Sequence, residues 1–255
     1  MASFWHRLNS RARVGWQSST SFATIGTAVT TLLLMPLLDI AFDVLMGRDL
    51  SAPDLVRTGY AAALVALAVS VAGGIVGAVA TDRNLGVFQE VHTRRRLDVA
   101  YWCAVATVPV LLAAITATAA IGTVLALSTQ RDLVLLAHVL ALTPVAVMCG
   151  VLMGVAAAGV GVDLPDPYLG ATIIGAFLPV LTGVIVPVEL TPTWLQAASR
   201  FVPMSGVLAA LDAGQLTTTP LLHDLVVALA WAAAGLVATR HAVIRLRKGL
   251  RRDVI

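Results

Sequence analysis

The sequence predicts an all-α integral membrane protein: one domain over residues 1–255 with six transmembrane helices, an amphipathic interface helix before the first span and a re-entrant helical pair before the last. Three observations carry this. Hydrophobic residues make up 58% of the 255-residue chain and charged residues only 12%, where soluble domains carry about 25%. Mean hydropathy is +0.89. The blocks Gly59 to Thr81 and Val99 to Gln130 contain no Asp, Glu, Lys or Arg, and about 20 apolar residues rising 1.5 Å each suffice to cross a hydrocarbon core of about 30 Å.

Residues 1–20 carry Arg7, Arg11 and Arg13, with Phe4, Trp5, Leu8, Ala12 and Trp16 near helical spacing. That pattern suits a helix in the membrane interface, its indoles at headgroup depth and its arginines towards phosphates. The first span is expected from Phe22 to Ile40, with Pro36 near its far end and Asp39 and Asp43 at the exit. The second, Gly59 to Ala80, contains Gly73 and Gly77, a GxxxG face that lets another helix approach closely. The third and fourth are expected at Tyr101 to Leu127 and Leu133 to Ala158, the fourth with a second GxxxG at Gly150 and Gly154.

Pro165 and Pro167 break the chain into a surface turn before a fifth span, Tyr168 to Val186. The sixth, Leu221 to Ile244, has only 15 uncharged residues between Asp224 and Arg240, so His223 and Asp224 are expected at one interface and Arg240 snorkelling to the other. The segment 187–220 is too polar to span and too apolar for an ordinary loop. A capping Thr191 before Pro192 opens one short helix, and Pro203 before Met204 opens a second that Gly214 ends. Two helices dipping back from the outer side would satisfy their own backbone and place Trp194 and Phe201 at the interface.

Between spans two and three runs the one long charged stretch, TDRNLGVFQEVHTRRRLD, Thr81 to Asp98. Thirteen of the seventeen Lys and Arg residues fall on the side of both termini and this stretch, which puts that side in the cytoplasm. The pI of about 9.3 thus reflects topology and anionic lipid rather than nucleic acid. Cys103 and Cys149 sit in apolar runs as small hydrophobes and imply neither disulfide nor metal site.

The segments DRNLGVFQEV, Asp82 to Val91, and FLPVLTGVIVPVELTPTWLQAASRFVP, Phe177 to Pro203, in this topology resemble the ABC type-2 exporter permeases, the membrane subunits of ATP-binding-cassette drug, antibiotic and lipid exporters. The resemblance spans essentially the whole chain. Arg83, Gly86 and Glu90 match the family's Arg-x-x-Gly-Thr-x-Glu stretch; Pro187, Pro192, Trp194 and Pro203 match its outer segment, where Glu189 and Phe201 complete an expected gate. The family's Thr is Val87 here, one extra residue precedes Glu90, and His92, Thr93 and an arginine triplet replace the usual Thr-Pro.

The resemblance implies a multi-pass protein of the bacterial plasma membrane with no cofactor of its own, ATP and Mg being held by a separate ATPase subunit. No GxxxxGK[ST] occurs in the sequence, so phosphates are not bound here by that route. Residues 81–98 are the expected cytoplasmic coupling loop: Leu85, Val87, Phe88 and Val91 offer an apolar anchor to the ATPase, and Glu90 and Arg94, at i and i+4, brace the helix. Six spans call for a second permease chain, identical or a sister. The substrate pathway between them would be lined by Thr24, Thr27, Thr31, Thr116, Thr118 and Phe177, a polar inventory without a buried charge relay, which favours a hydrophobic or amphipathic small molecule over an ion. Three rivals are an intramembrane enzyme, for which the scattered histidines supply no mid-span His/Asp pair, a secondary transporter, for which the sequence shows neither broken spans in matching halves nor a charged midplane site, and a non-transporting immunity or sensor subunit on the same fold.

Overall fold

The computed structural model describes residues 4–17, 24–50, 52, 54–94, 98–128 and 131–247. Phe22, Arg95, Arg96, Lys248, Arg251 and Arg252 lie outside them. Every regular element among the described residues is helical. In chain order these are α1 (Phe4–Gln17), α2 (Ile25–Asp49), α3 (Leu55–Asn84), α4 (Val87–Arg94), α5 (Val99–Leu127), α6 (Leu133–Gly161), α7 (Leu169–Thr182), α8 (Thr193–Ser199), α9 (Ser205–Ala213) and α10 (Thr218–Arg247). The end of the bundle carrying Arg7, Asp82 and α4 is called proximal; the end carrying α8 and α9 is distal.

Among the described residues α2, α3, α5, α6 and α10 are long and apolar enough to cross a membrane. The fifth expected span differs. Helix α7 has 14 residues, about 21 Å at 1.5 Å per residue, because Gly183 adopts φ +76° and ends it four residues before Val186. The first span also differs: α2 continues through Asp39 and Asp43 to Asp49. Pro36 therefore lies in mid-helix, immediately after a π turn over Thr30–Leu34 that gives its ring room and closes with a Met35 N–H to Thr30 carbonyl bond.

Asp54, Asp98 and Asp132 start α3, α5 and α6 by accepting hydrogen bonds from first-turn amides. Helix α3 is the centre of the bundle, touching α2, α5, α6 and α7, and its Ala68, Val71, Ala72 and Ile75 are fully buried. Gly150 and Gly154 of α6 allow this approach: a Cβ on Gly150 would lie 2.7 Å from the Ala68 carbonyl oxygen, and one on Gly154 would lie 3.0 Å from Ala72 Cα. The second GxxxG is thus a packing face, as its pattern suggests. Among the described residues nothing lies within 4 Å of the Cβ positions of Gly73 and Gly77, and it is Gly74 between them that meets Pro109 of α5.

A second close crossing joins α6 to α10. A Cβ on Gly235 would stand 2.5 Å from Ala156 Cα, and one on Gly159 2.3 Å from the Gly235 carbonyl oxygen. Helix α1 leans along α5 from Asp98 to Val108, and its Arg7 and Arg11 pair with Asp98 and Asp82. Of the arginines expected at lipid phosphates, Arg7 and Arg11 are therefore bound to carboxylates of the chain, while Trp5 and Trp16 remain exposed.

Because backbone meets backbone at the α6–α10 crossing, Gly235→Val is expected to force the helices apart and lower stability by about 2 kcal/mol. Thermal unfolding followed by size-exclusion chromatography in detergent checks this, with Gly122→Val on α5, where a Cβ meets nothing within 4 Å among the described residues, expected to stay near wild type.

Candidate functional site

At the proximal end the charged stretch folds into one fixture. Asp82, in the last turn of α3, is buried and accepts hydrogen bonds from Arg11 of α1 and, at 2.8 Å, from the Tyr101 hydroxyl of α5. Beside it the Arg83 guanidinium donates to the carbonyls of Gly161 (3.0 Å) and Leu164 (2.7 Å), capping the open end of α6. Gly86, at φ +76°, turns the chain from α3 into α4, a left-handed conformation that a side chain would strain.

Helix α4 is seated by two rings. Phe88 is only 1% exposed and stacks on His92 at 4.1 Å between centroids, and both meet Tyr101 edge-on. His92 is buried, and its Nδ1–H donates to the Phe88 carbonyl at 3.0 Å; burial pushes its pKa below the ordinary histidine value, with Asp98 and Asp82 opposing. Phe88 therefore anchors α4 to its own chain, a correction to its expected place on a partner-facing surface. What faces outward is Leu85, 72% exposed, with Glu90 and Arg94, which form the expected i,i+4 pair at 2.9 Å. Val87 and Val91 are half-buried.

At the distal end two further fixtures hold the segment between α7 and α10. Arg57, in the first turn of α3, grips Asp212 at the end of α9 through both Nε and Nη2, the latter at 2.8 Å. Its Nη1 donates to the carbonyls of Gly183 (2.9 Å) and Val184 (2.7 Å). Asp224 is fully buried in α10, where its carboxylate accepts from Gly206 (2.9 Å) and Val207 (2.8 Å) and caps α9.

The expected gate residues ring this region. Pro187 precedes a 3-10 turn, Val188–Leu190; Pro192, not Thr191, immediately precedes α8, and the Thr191 hydroxyl donates instead to the Val188 carbonyl. The Glu189 carbonyl takes a bond from Gln196. Pro203 is buried before Met204, while Trp194 and Phe201 project outward; the Phe201 carbonyl is held by Trp231 Nε1 at 3.1 Å. Gly214 ends α9 as its sequence suggests.

The expected pathway residues are not brought together. Thr24 and Thr27 form a reciprocal capping box that starts α2. Thr31 and Thr116 share a cleft between α2, α3 and α5. Thr118 lies outside that cleft with its hydroxyl on the Ile115 carbonyl, and Phe177 projects from α7. Sequence reasoning gave no fixture role to Asp82, Arg57 or Asp212, and placed Asp224 at an interface without its partners on α9. The 15-residue window after Asp224 was the available sign that this carboxylate lies inside the last helix.

The fold and these fixtures define a multi-pass membrane protein whose short charged helix is locked to the proximal ends of its spans. The model of the ABC-2 type transporter family matches residues 10–216, most of the chain, and the protein belongs to that family. It is a membrane permease component. No curated protein matches it.

Two outcomes follow from the geometry. Arg57→Ala strips the donors from Asp212 and two carbonyls and is expected to lower stability by about 2 kcal/mol, with Arg57→Lys recovering only part because it lacks the fork; denaturation in a membrane mimetic reads both. Released α4 binds a proton on His92 below about pH 6.5, whereas seated α4 resists it. Seating therefore weakens as pH falls through that value, seen as faster amide exchange over 87–94 at pH 5.5 than at 7.5 after correction for intrinsic rates. A His92→Phe variant should lose the pH dependence.

Proposed function

We propose that this chain is the transmembrane subunit of an ATP-driven exporter that carries a hydrophobic or amphipathic substrate, drug, antibiotic or lipid-like, out of the cell. A separate ATP-binding-cassette ATPase supplies the energy and holds ATP and Mg. The observation that carries this reading is helix α4: eight residues fastened to α3 and α5 by Phe88, His92 and Tyr101, with Leu85 and the Glu90–Arg94 pair turned outward. A helix fixed on one side and free on the other transmits a push from a partner's groove into the spans.

A sixth crossing is part of the proposal. Arg83 holds Leu164 at the proximal end of α3 and Arg57 holds Gly183 at the distal end, sites 26 residues or about 39 Å apart along that helix. The stretch containing α7 joins them, so it traverses the bundle although its helix is short. With the basic residues inside, both termini and α4 face the cytoplasm, and α8 and α9 form an outer gate. A second permease chain, identical or sister, covers the exposed apolar α2 and the open Gly73 and Gly77 face of α3.

Tagging the chain in its native membrane and weighing what co-purifies tests the reading: an ATPase in equal number and a mass for two chains of each kind are expected, and their absence in conditions that preserve such complexes overturns it. Leu85→Asp is expected to remove the ATPase while leaving insertion intact. Glu90→Ala, on the same face, is expected to lower substrate-stimulated ATP hydrolysis severalfold.

A further inference from the structure

A cleft of about 240 Å³ opens between α2, α3 and α5, lined by Thr31, Met35 and Asp39 on α2, Leu67 and Ser70 on α3 and Thr116 on α5. Its α2 wall includes the π turn and Pro36. Ser70 and Thr116 lie near the middles of their helices, so the cleft reaches well into the spanning length. Asp39 borders it one helical turn from Asp43, on the same face of α2.

These two carboxylates differ from their counterparts. Asp54, Asp82, Asp98, Asp132 and Asp224, at or within other spans, all accept hydrogen bonds from amides, a hydroxyl or arginines of the chain. Asp39 and Asp43 have no hydrogen-bond or ion-pair partner among the described residues. An ionised carboxylate in a membrane helix is costly unless something pairs with it.

We propose that this cleft recognises the cationic head of an amphipathic molecule, an organic ammonium that pairs with Asp39 while its apolar part lies against Met35 and Leu67. The inference rests on the reading of the chain as a permease and narrows its substrate to one charge class. An anionic head would meet the Asp39 carboxylate, with no Lys or Arg in the lining of the cleft, and the Thr116 hydroxyl, its proton committed to the Ala113 carbonyl at 2.9 Å, cannot donate to it. A bare metal ion lacks ligands, since no group of three or more His, Cys, Asp or Glu that could hold one occurs among the described residues. The volume falls below the range of roughly 300 to 1,000 Å³ that encloses a drug-sized ligand. It suits a head group whose tail leaves past Met35, exposed on the single chain, into the seam that the second chain closes over α2.

The test uses the full chain in phosphatidylcholine nanodiscs, with a fluorescent alkyltrimethylammonium probe and the uncharged alkyl alcohol carrying the same dye. Saturable binding of the cationic probe is expected, displaced by unlabelled alkyltrimethylammonium and not by the alcohol. Asp39→Asn should weaken cationic binding at least tenfold and leave the uncharged probe unchanged, while Met35→Trp, filling the cleft, should weaken any binding there. Equal binding of the two probes by wild-type protein overturns the proposal without recourse to a mutant, as does Asp39→Asn protein that holds the cation as tightly as wild type. Loss of the two-chain assembly in Asp39→Asn with cation binding intact assigns the carboxylate to a contact between copies and also overturns it. Binding by the chain alone needs no ATPase, so this result and the co-purification result fail independently.

Discussion

Helix α3 touches most of the other spans, and the contact that sets its position is the bare backbone seam with α6, where Gly150 and Gly154 bring the two helices together over Ala68 and Ala72. In lipid, apolar side chains gain little by leaving one another's company, so association depends on close packing and on polar groups meeting partners. The seam supplies the first. The second is concentrated at the two ends of the same helix: Arg57 at one, Asp82 and Arg83 at the other. A rod of 30 residues, about 45 Å, thus carries the attachments of α1 and the α6–α7 turn at one end and of α7 and α9 at the other.

These end fixtures are unlike the pair Glu90–Arg94, both of whose side chains are mostly exposed and whose kind adds about 0.3–0.5 kcal/mol. Arg57 and Asp82 are buried and satisfied by several groups at once. Removing a member leaves partners that find no water, so the loss exceeds the worth of any one bond. On the proposed reading the same property lets a displacement of α4 reach the outer segment, because the path is a stiff helix with committed ends rather than a chain of surface contacts.

Much of this was legible in the chain. The uncharged blocks marked α3, α5 and α6 to within a few residues, and the proline and glycine punctuation marked α8 and α9. Charge was read less well, because sequence shows a charge's position and not its partner. Asp39 and Asp43 looked like the end of a span but sit inside α2, since one or two carboxylates do not stop a helix whose backbone is internally satisfied. Phe88 looked like a surface anchor because it stands in a charged stretch; its neighbours Tyr101 and His92, which bury it, are 13 and 4 residues away in sequence. The glycine pairs were alike on paper, yet among the described residues Gly150 and Gly154 meet a neighbouring helix and Gly73 and Gly77 do not, as register decides which small residues face inward.

The cap on α9 has a bearing on how the protein is made. A ribosome delivers α9 before α10, so when Gly206 and Val207 emerge, Asp224, the carboxylate that accepts their N–H groups, still follows 18 and 17 residues behind them in the chain. Until the final span enters the bilayer, the start of α9 has no protein acceptor for those amides. The distal segment is then completed last, by the helix that follows it, and a chain truncated before α10 would keep α8 and α9 without the carboxylate that caps α9.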